Sequence, residues 1–162
     1  MALSRRMLAA IALVIILVAC AWLWRTSTES DEVKIQRVIE AGRKAIEDKS
    51  LRGVMGLLAP DYHDNLGLNT QSVRPMLQRL FFAVPGLHID VKSQSHPVFN
   101  DSGNHRTATV TLSVVVSGSV QGQPSYLMGT PSEPADAVVT LTKDDRTWLI
   151  SEVSGLIRPQ LE

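Results

Sequence analysis

Apolar positions fall into three regimes along this chain. Residues 7–24 form an uncharged run, closed by Arg25. After a polar stretch the apolar residues recur at helical spacing. Ile35, Val38, Ile39, Gly42 and Ile46 share one face, while Lys34, Arg37, Glu40, Arg43 and Glu47 take the other, which predicts a first helix capped by Ser30 with Asp31 and Glu32 in its first turn. Ser50 caps a second, short helix with Leu51, Val54, Met55 and Leu58 inward, stopped by Pro60. Residues 61–68 read as an irregular connection. A third helix starts between Thr70 and Ser72 and places Pro75 in its first turn, where a missing N–H is tolerated. Val73, Met76, Leu77, Leu80, Phe81 and Val84 give it the clearest helical stripe in the chain, and Pro85-Gly86 ends it.

From Leu87 the period shortens to two. Leu87, Ile89 and Val91 alternate with His88, Asp90 and Lys92. A turn at Asn100-Asp101-Ser102-Gly103 leads into the strongest strand, where Ala108, Val110, Leu112, Val114 and Val116 alternate with Thr and Ser. Residues 121–134, rich in Gly and Pro, read as a long loop or frayed hairpin. Ala137, Val139 and Leu141 resume the alternation, Asp144-Asp145 turns the chain, and residues 148–157 supply a last strand. Short turns between strands imply an antiparallel meander, because parallel neighbours need a crossover. The expected fold class is α+β, with three N-terminal helices on one face of a mostly antiparallel four-stranded sheet.

The first regime has a different meaning. As a helix, residues 7–24 would measure roughly 27 Å, close to the hydrocarbon thickness of a bilayer. Arg5 and Arg6 favour a cytoplasmic N-terminus, and Trp22 and Trp24 suit the far interface. The domain organisation expected is therefore a membrane anchor or signal segment at 1–25, a linker at 26–30 and an α+β domain at 31–162, facing the periplasm or exterior. Three fates stay open for the segment: an uncleaved inner-membrane span, a lipoprotein signal, or a cleaved leader. Leu17-Val18-Ala19-Cys20 resembles a bacterial lipobox, which makes Cys20 the lipidation candidate, although Ala21-Trp22-Leu23-Trp24 keeps the run apolar beyond it.

Composition narrows the function classes. Sixteen basic and sixteen acidic residues cancel, and aromatics make up 5% of the chain, so neither a global field nor stacking platforms point to nucleic acid. Cys20 is the one cysteine, which rules out an intrachain disulfide or a thiolate metal site in the domain. No GxSxG, P-loop or GxGxxG motif occurs, and no cofactor is implied.

The long first helix, the segment Leu57-Leu58-Ala59-Pro60-Asp61-Tyr62-His63-Asp64, the third helix and the closing Asp144-Asp145-Arg146-Thr147-Trp148-Leu149-Ile150 together resemble the nuclear transport factor 2-like superfamily. That resemblance spans roughly residues 31–156. It implies a strongly curved sheet wrapping the helices into a cone, with a pocket at the open end; enzymes, binding modules and assembly domains share this fold.

The densest polar cluster is Asp61-Tyr62-His63-Asp64. Tyr62 and Asp64, joined by Glu152 from the last strand, are the candidate acid/base groups, because a hydroxyl and carboxylates in an apolar pocket can move protons. Glu152 alternates with Trp148 and Ile150 and is expected on their face. The bland reading is that Asp61 and Asp64 turn the chain while Tyr62 buries its ring. Ketosteroid isomerase and scytalone dehydratase combine Tyr with Asp or His in this superfamily, but their sets do not carry over residue by residue. Tyr62, Phe81 and Trp148 are the candidate pocket residues. His63, His88, His96 and His105 lack metal-ligand spacing, so no metal site is expected.

The leading expectation is a membrane-tethered, non-catalytic envelope domain that binds a small apolar ligand or a partner protein. A small-molecule isomerase, dehydratase or hydrolase is the first alternative. An assembly component of an inner-membrane complex is the second, since components of type IV secretion machines are similar in layout. A homodimer through the sheet is a further arrangement this layout allows.

Overall fold

A computed structural model describes residues 29–102 and 105–156. The expected anchor at 1–25, with Cys20 and the lipobox, lies outside the described residues. Among the described residues, no helix is long and apolar enough to cross a membrane.

Helix α1 runs Asp31–Glu47 and α2 runs Leu51–Met55. The Ser50 hydroxyl accepts the Gly53 N–H at 3.1 Å, as its capping role predicts. The second helix then stops at Gly56, short of Pro60. Leu58–Asp64 forms strand β1, where an irregular connection was expected. Helix α3, Thr70–Ala83, is capped by Asn69, whose side chain accepts from Gln71 and Ser72 while Ser72 bonds back. Pro75 therefore sits in the second turn, and the helix tolerates the lost hydrogen bond there on an exposed side.

Six further strands follow: β2 (His88–Gln94), β3 (Val98–Ser102), β4 (His105–Val120), β5 (Gln123–Met128), β6 (Ala135–Asp144) and β7 (Thr147–Ser154). All seven join one sheet in the order β1-β7-β6-β4-β2, with β3 and β5 also paired to β4. The sheet is larger than the four strands expected. β3, short and at the edge, includes Asn100, Asp101 and Ser102, which read as a turn, and β5 falls in the stretch that reads as a long loop or frayed hairpin. The long β4 is the spine of the sheet. One side of it pairs first with β3 and then with β2. The other side pairs with β6 and then with β5. Among the described residues, only β1 and β7 pair in parallel. They are neighbours because the chain between them carries α3 and the rest of the sheet, a crossover of the kind a parallel pair needs.

Two apolar clusters hold helices to sheet. In the first, Ile35 and Ile39 of α1 meet Ala108, Val110, Leu112 and Val114 of β4, Ala137, Val139 and Leu141 of β6, and Trp148 of β7. In the second, Ala45, Val54, Val73 and Leu77 from the three helices enclose Tyr62 of β1. Ile150 and Val153 of β7 pack against both. The expected stripe of α3 does turn inward at Val73 and Leu77, and Val84 is fully buried just past the helix end. There the chain passes so close to the sheet that a Cβ on Gly118 would lie 2.3 Å from Val84 Cγ1, so β4 carries a residue with no side chain at the crossing.

Candidate functional site

The three predicted acid/base groups do not converge. Tyr62 and Asp64 are both buried, at 5% and 7% exposure, on alternate positions of β1. Asp64 Oδ1 accepts the backbone N–H groups of Leu66 at 2.9 Å and Leu68 at 2.8 Å, closing the turn that leads to α3. Its Oδ2 lies 3.5 Å from the Tyr62 hydroxyl, a long contact. Burial, then the nearby Asp64 charge, push the Tyr62 hydroxyl well above the usual tyrosine range, so it stays protonated. The pair behaves as a turn carboxylate and a packed ring.

Glu152 is on the opposite face from the one expected. Thr140 pairs with Glu152 and Leu141 with Ile150, so Ser151 is an extra residue in β7. That bulge reverses the alternation: Trp148 and Ile150 face the core, then Val153 does, and Glu152 turns outward. There its carboxylate lies 3.8 Å from His63 Nε2 of the neighbouring β1, with both side chains substantially exposed. The pocket candidates are likewise separated. Trp148, 1% exposed, packs in the first cluster beside Phe99, whereas Phe81 joins Tyr62 in the second.

A different constellation forms at the far end of β4. Gln121 and Gly122, both at positive φ, turn β4 into β5. Ser117 pairs with Tyr126, and Ser119 with Pro124, so these four side chains share one face of the hairpin. Val114 and Val116 point to the core, which puts Ser117 and Ser119 on the outer face. Pro85 extends the line of β2 alongside them, accepting the Ser119 N–H at 2.8 Å. Between these strands lies an open groove of about 410 Å³, lined by Pro85, Gly86, Ser117, Gly118, Ser119, Pro124, Ser125 and Tyr126. Its volume is within the range of small-molecule sites.

His88 extends the same row, because its Cα partner on β4 is Ser117. The imidazole Nδ1 lies 2.7 Å from Glu47 Oε1, at the C-terminal end of α1. The same oxygen accepts the Ile89 N–H at 2.9 Å. Arg43 Nη1 donates to the other Glu47 oxygen at 2.6 Å, and the rest of its guanidinium grips Glu40 at 2.5 and 2.9 Å. This hydrogen bond from Arg43 holds the Glu40 carboxyl below its usual range. Sequence reasoning placed Glu47 on a wet helical face and His88 on a solvated strand. No spacing rule links positions so far apart; only the packing of the α1 end against the β2 edge unites them. Among the described residues, no group of three potential ligands could hold a metal ion.

No family model matches the chain, and no curated protein matches it. Solved structures do share its architecture. A proposed aromatic ring hydroxylase from Novosphingobium aromaticivorans superposes with a TM-score of 0.60 at 14% identity, covering 76% of this chain and 86% of that one. A proposed scytalone dehydratase from the same organism gives 0.59 at 13%, covering 75% and 79%. A nuclear transport factor 2-like protein with a cystatin-like fold, also from that organism, gives 0.53 at 13%, covering 93% and 88%. At these identities the likeness shows the fold: a cone-like α+β domain with a curved, mixed seven-stranded sheet.

Proposed function

We propose that the domain binds a small, uncharged, largely apolar organic molecule in the groove between the α3–β2 connection and the β4–β5 hairpin. The observation that supports this most is the lining. In a chain with 20% charged residues, the groove holds none; it offers a tyrosine ring, two prolines and three serine hydroxyls. Tyr126 is 58% exposed, a large ring left in water beside hydroxyls that can orient a ligand.

Native mass spectrometry of the full chain, followed by amide-shift mapping with any retained compound, tests the reading. Shifts should centre on residues 117–126, and Tyr126→Ala should weaken binding about tenfold, as loss of one aromatic contact would. Shifts confined to Tyr62, Phe81 and Trp148 would overturn the groove in favour of the interior pocket first expected.

An acid–base enzyme is a second reading, favoured by the Glu47–His88 pair at the groove's edge. A dehydratase or isomerase also accords with a fold shared by the proposed scytalone dehydratase. Tethering to the bacterial inner membrane, by an uncleaved span or through lipid on Cys20, is a separate proposal supported by the apolar run at 7–24.

A further inference from the structure

We infer that the outer face of α3 docks on an anionic bilayer surface, with the Phe82 ring inserted at the level of the headgroups. Helical spacing sets up this face. Val73, Met76, Leu77 and Phe81 pack on the second apolar cluster. The opposite stripe is then Gln71, Arg74, Pro75, Gln78, Arg79 and Phe82, at i, i+3, i+4, i+7, i+8 and i+11, and all six are exposed. Such a stripe is ordinarily polar throughout. Here it ends in a phenylalanine that is 91% exposed, the most exposed large apolar side chain among the described residues.

Charge singles out the same face. No Asp or Glu occurs between Asp64 and Asp90. Asp64 is buried and closes a turn, and Asp90 is paired with Lys92. Among the described residues, neither Arg74 nor Arg79 joins an ion pair, whereas Arg43, Lys92 and Arg106 each do. Lys49 adds a third cation. Its Nζ donates to the Phe81 carbonyl at 2.7 Å, which sets an ammonium at the helix end beside Phe82. The chain is neutral overall, so this positive field is local.

The form of the face selects the occupant. It is convex, one helix with one protruding ring, and a lipid interface receives a protruding ring with cations at phosphate level without needing a matching pocket. Each cation near an anionic surface strengthens binding about fivefold, and the attraction fades over about 8 Å at physiological salt. One ring and three cations make a weak, reversible contact, suited to a chain that a tether such as the one proposed at 7–24 holds nearby. The inference stands apart from the groove reading, but it bears on it. Pro85, at the groove's rim, follows Phe82 by three residues, so a docked α3 brings the groove within about 10 Å of lipid, where an apolar ligand would partition.

The test uses the full chain with one environment-sensitive label. Cys20 is the one cysteine, so Cys20→Ala with Ala83→Cys carries nitrobenzoxadiazole beside an intact Phe82. Cys20→Ala with Gln94→Cys carries it at the far end of β2, and both labelled positions are exposed. Each is titrated with phosphatidylcholine vesicles containing roughly one-third phosphatidylglycerol. The label at 83 should brighten, shift to the blue and be quenched by spin-labelled lipid, while the label at 94 stays as in water. Arg74→Gln with Arg79→Gln should lower the docking constant by roughly 25-fold, the share of two cations. The corresponding lysine pair should leave it nearly unchanged, since the attraction is for charge and not for a guanidinium fork. Phe82→Ser should lower it about tenfold. A label at 83 as wet as the one at 94 would overturn the inference. So would brightening that is equal without phosphatidylglycerol and indifferent to Arg74 and Arg79. Brightening without vesicles that grows with protein concentration would assign the face to a second copy instead.

Discussion

Replacing Asp64 by alanine separates a structural carboxylate from a catalytic one. Asp64 is 7% exposed, and its Oδ1 takes two backbone N–H groups at 2.9 and 2.8 Å. Hydrogen bonds to a charged acceptor contribute about 1.5–3 kcal/mol each. Leu66 and Leu68 are only partly buried, so water recovers part of the loss after truncation. The Tyr62 contact, at 3.5 Å, adds little. Asp64→Ala should therefore cost about 2–4 kcal/mol, or roughly 6–14 °C in melting temperature for a domain of this size. Asp64→Asn keeps an oxygen facing Leu66 and Leu68, so its cost should be near 1 kcal/mol. Urea unfolding followed by far-ultraviolet circular dichroism measures both, read as a shift in midpoint at constant slope. The reasoning is refuted if Asp64→Ala costs under about 0.5 kcal/mol, or if asparagine is as damaging as alanine.

Tyr62 gives a pH signature. Its pKa is raised in the folded chain, so the folded state binds the phenol proton more tightly than the unfolded state does. The stability this contributes is complete below about pH 10 and falls as pH rises further. Tyr62→Phe should lack that limb, so the stability difference between the two proteins should tilt toward phenylalanine in alkali; a difference independent of pH would count against the buried phenol. Gly118→Ala should cost about 1–3 kcal/mol by overpacking, because Val84 is fully buried and cannot swing aside. Val84→Ala should recover part of that loss in the double variant, and strict additivity would refute the close approach. For the N-terminal segment, Cys20→Ala should leave membrane fractionation unchanged if the run is an uncleaved span; loss of lipid labelling with a retained precursor would establish the lipobox.

Legibility in the sequence followed the strength of each local pattern. The α3 stripe and the β4 alternation were plain because each buries one face over several turns or pleats. β1 was invisible for the opposite reason. Pro60, Asp61 and Asp64 carry turn chemistry, and the strand's register with β7 breaks between Leu58 and His63. Glu152 was misplaced by the assumption of an unbroken pleat, since a single bulge at Ser151 inverts the rule from that point on. The Tyr62–Asp64 cluster was seen: Asp64 closes a turn and Tyr62 buries its ring, whereas Asp61, read as a turn residue, lies within β1. The Glu47–His88 pair was not, because it exists only when α1 ends beside the β2 edge, and helical or strand periodicity says nothing about that meeting.

The parallel β1–β7 pair has a consequence for synthesis. Asn65, just past β1, exchanges hydrogen bonds with Leu156, a residue 91 positions later, at 2.9 and 3.1 Å. Among the described residues, β1 has no strand partner other than β7. During translation the early strand must therefore wait, with Ala59 and Tyr62 uncovered on one side, until the final strand emerges. At ribosomal speeds of about 5–20 residues per second, that is an exposure of several seconds, in which a holding chaperone has something to hold.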